Sequence, residues 1–112
     1  MSDAKTDRIR DLNDQFRKAL PTTTGRVLVT AGVNDQGPEF VARALAAVAS
    51  FDDFTKDNDP YHEHDFGSFK LGGHKLFWKV DYYDSSGEMG SEDPSDPDVT
   101  LRVLTVMLAE EY

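Results

Sequence analysis

Ile9, Leu12, Phe16 and Leu20 recur three and four residues apart, the repeat of a single apolar helix face. The pattern predicts a helix from about Asp3 to Leu20. Its outer side is braced by Asp7→Arg10 and Asp14→Lys18 pairs, and Pro21, three threonines and Gly25 end it. Arg26–Val33 then reads as a strand, because Val27, Leu28, Val29, Thr30 and Val33 are mostly β-branched and the Asn34–Gly37 turn closes the run. Pro38 suits the first turn of a second helix. That helix turns Phe40, Val41, Ala44, Leu45 and Val48 inward, and its many alanines favour helix and close packing. Phe51 and Phe54 are expected to pin its exit to the core.

Farther along, the period changes from helical to alternating. Asp65–Leu71 and His74–Tyr83 flank Gly72-Gly73, a two-residue hairpin turn. The turn pairs Phe69 with Leu76, Gly67 with Trp78 and Phe66 with Lys79, and would bring His64 opposite Asp81 if pairing continued. Leu76, Trp78, Val80 and Tyr82 share one face, which alternation places on the core. Gly67 leaves room for the Trp78 indole. Ser85–Pro97 is rich in Gly, Ser, Pro and acids and reads as a long loop. Asp96-Pro97-Asp98 carries the cap, proline and acid of a helix start, so Pro97 to about Glu111 is read as a mostly apolar helix. The order is α-β-α-β-β-α. It implies a single α+β domain over residues 1–112, with helices packed on a small, mainly antiparallel sheet.

Charge adds a second layer. The chain has 112 residues, 21 Asp+Glu, 12 Lys+Arg, no Cys and a net charge of −9. Without Cys there is no disulfide, thiolate nucleophile or Cys-type zinc site. No apolar run approaches the ~18 residues of a membrane span and no signal peptide opens the chain, so a cytoplasmic protein with no membrane partner is expected. Segment 52–65 holds six acids against Lys56, and segment 81–98 holds seven acids and no base. Such crowding repels itself, and it disfavours direct nucleic-acid binding, which requires a basic surface. The two segments are either solvated loops or a recognition surface for a basic partner or a cation.

One run suggests chemistry: Tyr61-His62-Glu63-His64-Asp65. Imidazole and carboxylate are common metal ligands. If the run is extended, His62 and His64 share a side and Asp81 would complete a three-ligand set. The alternative is structural, with His64 hydrogen-bonded to Asp81 or a carbonyl and His62 in water. The spacing is not that of a zinc-protease helix, which needs His at i and i+4, and the Asp57, Asp59, Glu63 set lacks the calcium-loop spacing. No phosphate loop or nucleophile elbow is present, and no cofactor is implied. Phe77-Trp78 and Tyr82-Tyr83 resemble a base-stacking run, but the acidic surroundings oppose nucleic acid and alternating aromatics usually face a core.

Asn58-Asp59-Pro60-Tyr61-His62-Glu63-His64-Asp65-Phe66-Gly67, Phe77-Trp78-Lys79-Val80-Asp81-Tyr82-Tyr83-Asp84, Ser91-Glu92-Asp93-Pro94-Ser95-Asp96-Pro97 and Arg102-Val103-Leu104-Thr105-Val106-Met107-Leu108-Ala109 resemble a bacterial family catalogued as "domain of unknown function 3768". The resemblance implies a small protein often found on plasmids and other mobile elements, and implies no activity. The family pattern has Gly between Tyr61 and Glu63, where this chain has His62, which counts against a metal site needing both histidines. Three readings remain. The first is a non-enzymatic protein that presents Asp57, Asp59, Asp84, Glu88, Glu92 and Asp93 to a basic protein surface. Its carboxylates would imitate nucleic-acid phosphates in a nuclease or CRISPR effector, as an anti-restriction or anti-CRISPR inhibitor does. The second is a metal-dependent enzyme built on His62, His64 and Asp81. The third is a structural or regulatory module, such as a homodimer.

Overall fold

The computed structural model describes residues 4–20 and 25–112. The proposed helix start at Asp3 and the Pro21–Thr24 stop lie outside these residues. Within them, α1 spans Ala4–Lys18, β1 Arg26–Val29, α2 Ala31–Asn34, α3 Pro38–Ala49, β2 Phe66–Leu71, β3 His74–Tyr83 and β4 Leu101–Leu108, and a 3-10 turn covers Ala109–Glu111. The sheet order is β1-β4-β3-β2. β1 runs parallel to β4, and the other two pairings are antiparallel. The α+β class and the mainly antiparallel sheet stand.

The hairpin register agrees with the turn chemistry: Phe66 pairs with Lys79, Gly67 with Trp78 and Phe69 with Leu76. Gly72 and Gly73 both take positive φ, 57° and 81°, the geometry that a two-residue turn asks of both central residues. Leu76, Trp78 and Val80 of β3 and Leu104, Val106 and Leu108 of β4 line one face. Phe16, Ala44 and Val48 from the helices close over it. The core is therefore a single layer between this face and α1 and α3. Trp78 is fully buried, with Phe51 and Phe54 edge-on to it at ring centroid distances of 5.5 and 6.2 Å. The two phenylalanines do pin the exit of α3.

The last element differs in kind. Residues 101–108 form a strand in the middle of the sheet, between β1 and β3, where a helix from Pro97 was expected. A segment apolar all round fits a buried helix or a strand covered on both faces, and periodicity cannot separate them. Val103, Thr105 and Val106 are β-branched and favour the strand. The Asp-Pro-Asp cap signal is spent on a turn instead: Asp96 Oδ1 accepts from Asp98 N at 2.9 Å, and Val99 N donates to Asp96 O. Nearer the start, β1 stops at Val29, and Val33 is buried from the short α2 instead of extending the strand.

At Gly67 an added Cβ would collide with the Trp78 indole nitrogen and would meet the Phe51 ring at 2.7 Å. Trp78 is fully buried and cannot retreat, and the partly buried Phe51 packs edge-on to it. Gly67→Ala is expected to destabilise the fold by about 2 kcal/mol, read as a lower urea midpoint with an unchanged slope.

Candidate functional site

The register brings several chain segments to one end of the sheet. β2 begins there at Phe66, β3 ends at Tyr83 and β4 begins at Leu101. The loop entering β2 and the loop joining β3 to β4 are the two acidic segments. Their placement follows directly from antiparallel pairing, since one strand's start lies beside its partner's end.

α1 crosses this end and stitches the loops together. Its buried seam is Ile9, Asn13, Phe16 and Arg17, so two polar residues occupy the positions that face the core. Asn13 Nδ2 donates to Glu63 O at 3.0 Å and to the Tyr82 hydroxyl at 2.8 Å. Asn13 Oδ1 accepts from Arg102 Nε at 2.7 Å, and Arg102 also donates to Pro94 O at 2.6 Å. The Tyr82 hydroxyl donates to Glu63 Oε1 at 2.9 Å. Burial pushes the Tyr82 phenol up, so it remains a neutral donor. One asparagine thus ties the first acidic loop through Glu63 and the second through Arg102 and Pro94.

A second chain of contacts runs from α3. Arg17, 2% exposed, donates to Val48 O at 2.8 Å and Phe51 O at 2.6 Å, carbonyls at and just beyond the C-terminus of α3. Its other nitrogen meets Asp14 Oδ1 at 3.0 Å. The same oxygen lies 2.9 Å from His64 Nδ1. The His64 ring stacks flat on Phe54, with centroids 3.7 Å apart. Asp59 completes the set: its Oδ1 accepts from His64 N at 3.0 Å and its Oδ2 lies 3.5 Å from Nε2.

This geometry corrects several expectations. Asp59 is 4% exposed and turned inward to His64, so it supports the loop from within and presents nothing to a partner. His64 does not face Asp81, because a positive φ of 54° breaks the extended run and swings its ring toward Asp14. Asp81 lies on the other face of β3 and pairs with Lys79 at 2.9 Å. His62, at φ 60°, is exposed. The three metal candidates His62, His64 and Asp81 therefore do not converge, and among the described residues no group of three or more His, Asp or Glu side chains is placed to hold a metal ion. Asp14 pairs with Arg17 and not with Lys18, whereas the Asp7–Arg10 pair forms at 3.3 Å.

The remaining acids lie on the loops. Asp57, Glu88 and Glu92 are exposed. Asp84 folds its own loop: its Oδ1 accepts from the Ser86 hydroxyl at 2.7 Å and from Glu88 N at 3.2 Å. Asp93 accepts from Ser95 N and the Ser95 hydroxyl and lies 3.9 Å from Lys5. Hydrogen bonds from these serines hold both carboxyls below the usual carboxylate range, so they remain charged. Asp65 goes the other way. Burial, reinforced by Glu63, lifts it from 3.8 to about 6.

The model of the family described as "Protein of unknown function (DUF3768)" matches residues 29–111. The chain belongs to that family. No curated protein and no solved structure matches it. The matched span contains both acidic loops and strands β2, β3 and β4, while β1 up to Leu28 and the α1 residues that tie the loops, Asn13, Asp14 and Arg17, lie before it. Sequence reasoning missed these three. The signal that marks them is their place on the inward stripe: Asn13 stands midway between Ile9 and Phe16 at helical spacing, where an apolar residue would be the default.

Two outcomes follow. In the left-handed region a non-glycine residue costs roughly 1–2 kcal/mol. His62 N donates to Asp59 O at 3.2 Å, a bond that glycine would keep, and its side chain is exposed, so His62→Gly should raise stability by about 1 kcal/mol, and His62→Val should lower it, both read by urea unfolding. Asp65 binds its proton more tightly folded than unfolded, so its contribution to stability falls as pH rises from about 4 to 6 and stays low above that. Asp65→Asn should therefore be stabilising by about 1 kcal/mol at pH 7, after allowance for its partial exposure, and nearly neutral below pH 4. A wild-type to variant difference that does not widen with pH would remove burial of a charged Asp65 as its cause.

Proposed function

We propose that the chain is a non-enzymatic interaction protein whose acidic end docks on a cationic protein surface. The observation that carries this reading is the convergence of segments 52–65 and 84–100 at one end of the sheet, held there by Asn13, Tyr82 and Arg102. Asp57, Glu88 and Glu92 are displayed, Asp84 and Asp93 shape the rim and stay ionised, and Lys5 at 3.9 Å from Asp93 is the sole Lys or Arg of the described residues placed against these five. Carboxylates fixed on a scaffold resemble a run of phosphates. They raise association rates with basic clefts and make binding sensitive to salt. The partner class is a basic nucleic-acid-binding protein such as a nuclease or CRISPR effector. The protein then acts as an inhibitor that occupies its nucleic-acid groove in the cytoplasm, in keeping with the mobile-element setting that the family resemblance implies. No helix of the described residues is long and apolar enough to cross a membrane.

The metal-enzyme reading has lost its ligand set, since His62, His64 and Asp81 point to three different surroundings. The docking reading is tested by titrating the protein against basic nucleases and CRISPR effectors and following both binding and nucleic-acid cleavage. The expected partner binds with an affinity that falls at least tenfold between roughly 50 and 250 mM salt. The triple change Asp57→Asn, Glu88→Gln and Glu92→Gln should abolish that binding while leaving thermal stability unchanged or raised. Binding that survives neutralisation of all three acids would sink the proposal.

A further inference from the structure

The helices cover one face of the sheet, and the other face carries a different chemistry. Alternation places Phe66 on β2 and Phe77 on β3 on this second face, with Lys70, Lys75 and Lys79 among them. The chain then folds back after β4, so that the Tyr112 ring lies 5.2 Å from Phe77 and 6.0 Å from Phe66, edge-on to both. Phe66 and Phe77 are themselves 5.3 Å apart. Tyr112 is 74% exposed, so core packing does not explain its ring. Lys75 Nζ sits 5.4 Å over the Phe77 ring, and Lys79 stands across the ladder from Phe66.

From this juxtaposition we infer that the open face of the sheet is a binding platform for single-stranded nucleic acid. The exposed Tyr112 ring, backed by the half-buried Phe66 and Phe77, takes unpaired bases by stacking, and interleaved lysines take the phosphates. The net charge of −9 is an objection only if the charge is evenly spread, and it is not. Lys75 is eight residues along β3 from Tyr83, where the acidic loop begins, or about 27 Å at strand rise. That is roughly three Debye lengths at physiological salt, so the acidic end barely reaches Lys75 and its ladder partner Lys70, whereas Phe66 and Lys79 lie nearer to it. Of the strand residues on this face, the one acid is Asp81, held by Lys79 at 2.9 Å. Glu111, close by in sequence after β4, has its carboxylate taken by the Thr30 hydroxyl, Gly32 N and Leu108 N, leaving Glu110 as the nearby free acid of that turn. The inference does not rest on the acidic-end reading, since the two use different side chains.

The test is fluorescence anisotropy of a labelled oligo(dT) or oligo(U) of about 15 nucleotides with the whole chain. The expected result is saturable binding at roughly 50 mM salt that weakens at least tenfold by 250 mM. Tyr112→Ser, and separately Lys70→Gln with Lys75→Gln, should each weaken it by about tenfold. All three side chains are exposed or near the surface, and circular dichroism confirms that the variants fold. Glu88→Gln with Glu92→Gln should leave binding unchanged or tighter, which separates this result from failure of the acidic-end reading. Absence of binding, equal binding of duplex, equal competition by polyglutamate, or indifference to Tyr112→Ser and the lysine pair would each overturn the inference.

Discussion

A buried guanidinium organises this fold. Arg17 lies over the rings of Phe54 and Trp78, its carbon 5.3 Å from each ring centroid, and donates to the carbonyls that close α3. A helix C-terminus carries partial negative charge, and a cation placed there is favoured most when water is excluded. Taking a charge out of water is costly, and here the cost is offset by ring faces, carbonyl dipoles and Asp14 together. Nε remains without an acceptor, so the compensation is incomplete. Removing Asp14 or the carbonyls would leave a buried charge exposed to that deficit, which explains why helix, loop and sheet must assemble together here.

The same contact carries order outward. Asp14 holds His64, His64 holds the loop through Asp59, and the loop presents its exposed acids beyond. Asn13, one residue away on α1, does the equivalent for the second loop through Arg102. Two acidic loops that repel each other are kept side by side because their inward groups are satisfied by one helix. The repulsion is concentrated where the proposed partner would relieve it, and Asp65 is raised there by burial first and by Glu63 beside it second.

Charge is sorted across the molecule as well as concentrated. The acidic end lies where β3 finishes, whereas Lys70, Lys75 and the rings of Phe77 and Tyr112 gather where β3 begins. A single net charge conceals this separation, because screening in salt makes each surface respond to its own neighbours.

Local rules were enough for the hairpin. Gly72-Gly73 and the alternation of Leu76, Trp78 and Val80 determine register and inward face without reference to the rest of the chain, because turn geometry and pleat act over a few residues. The α3 stripe was legible for the same reason, as was the clustering of acids along the sequence. The strand at 101–108 was not, because an apolar segment becomes helix or central strand according to whether neighbours exist on both of its edges, and β1 and β3 supply them only in the assembled sheet. Nor was the fate of His64 and Asp59: a left-handed turn and a helix some fifty residues distant, α1, decide where those side chains point. The sequence by itself determined the periods, the turn and the quantity of charge. Tertiary structure alone decided which charges meet, because long-range pairing of strands and helices brings together residues whose separation along the chain carries no signal.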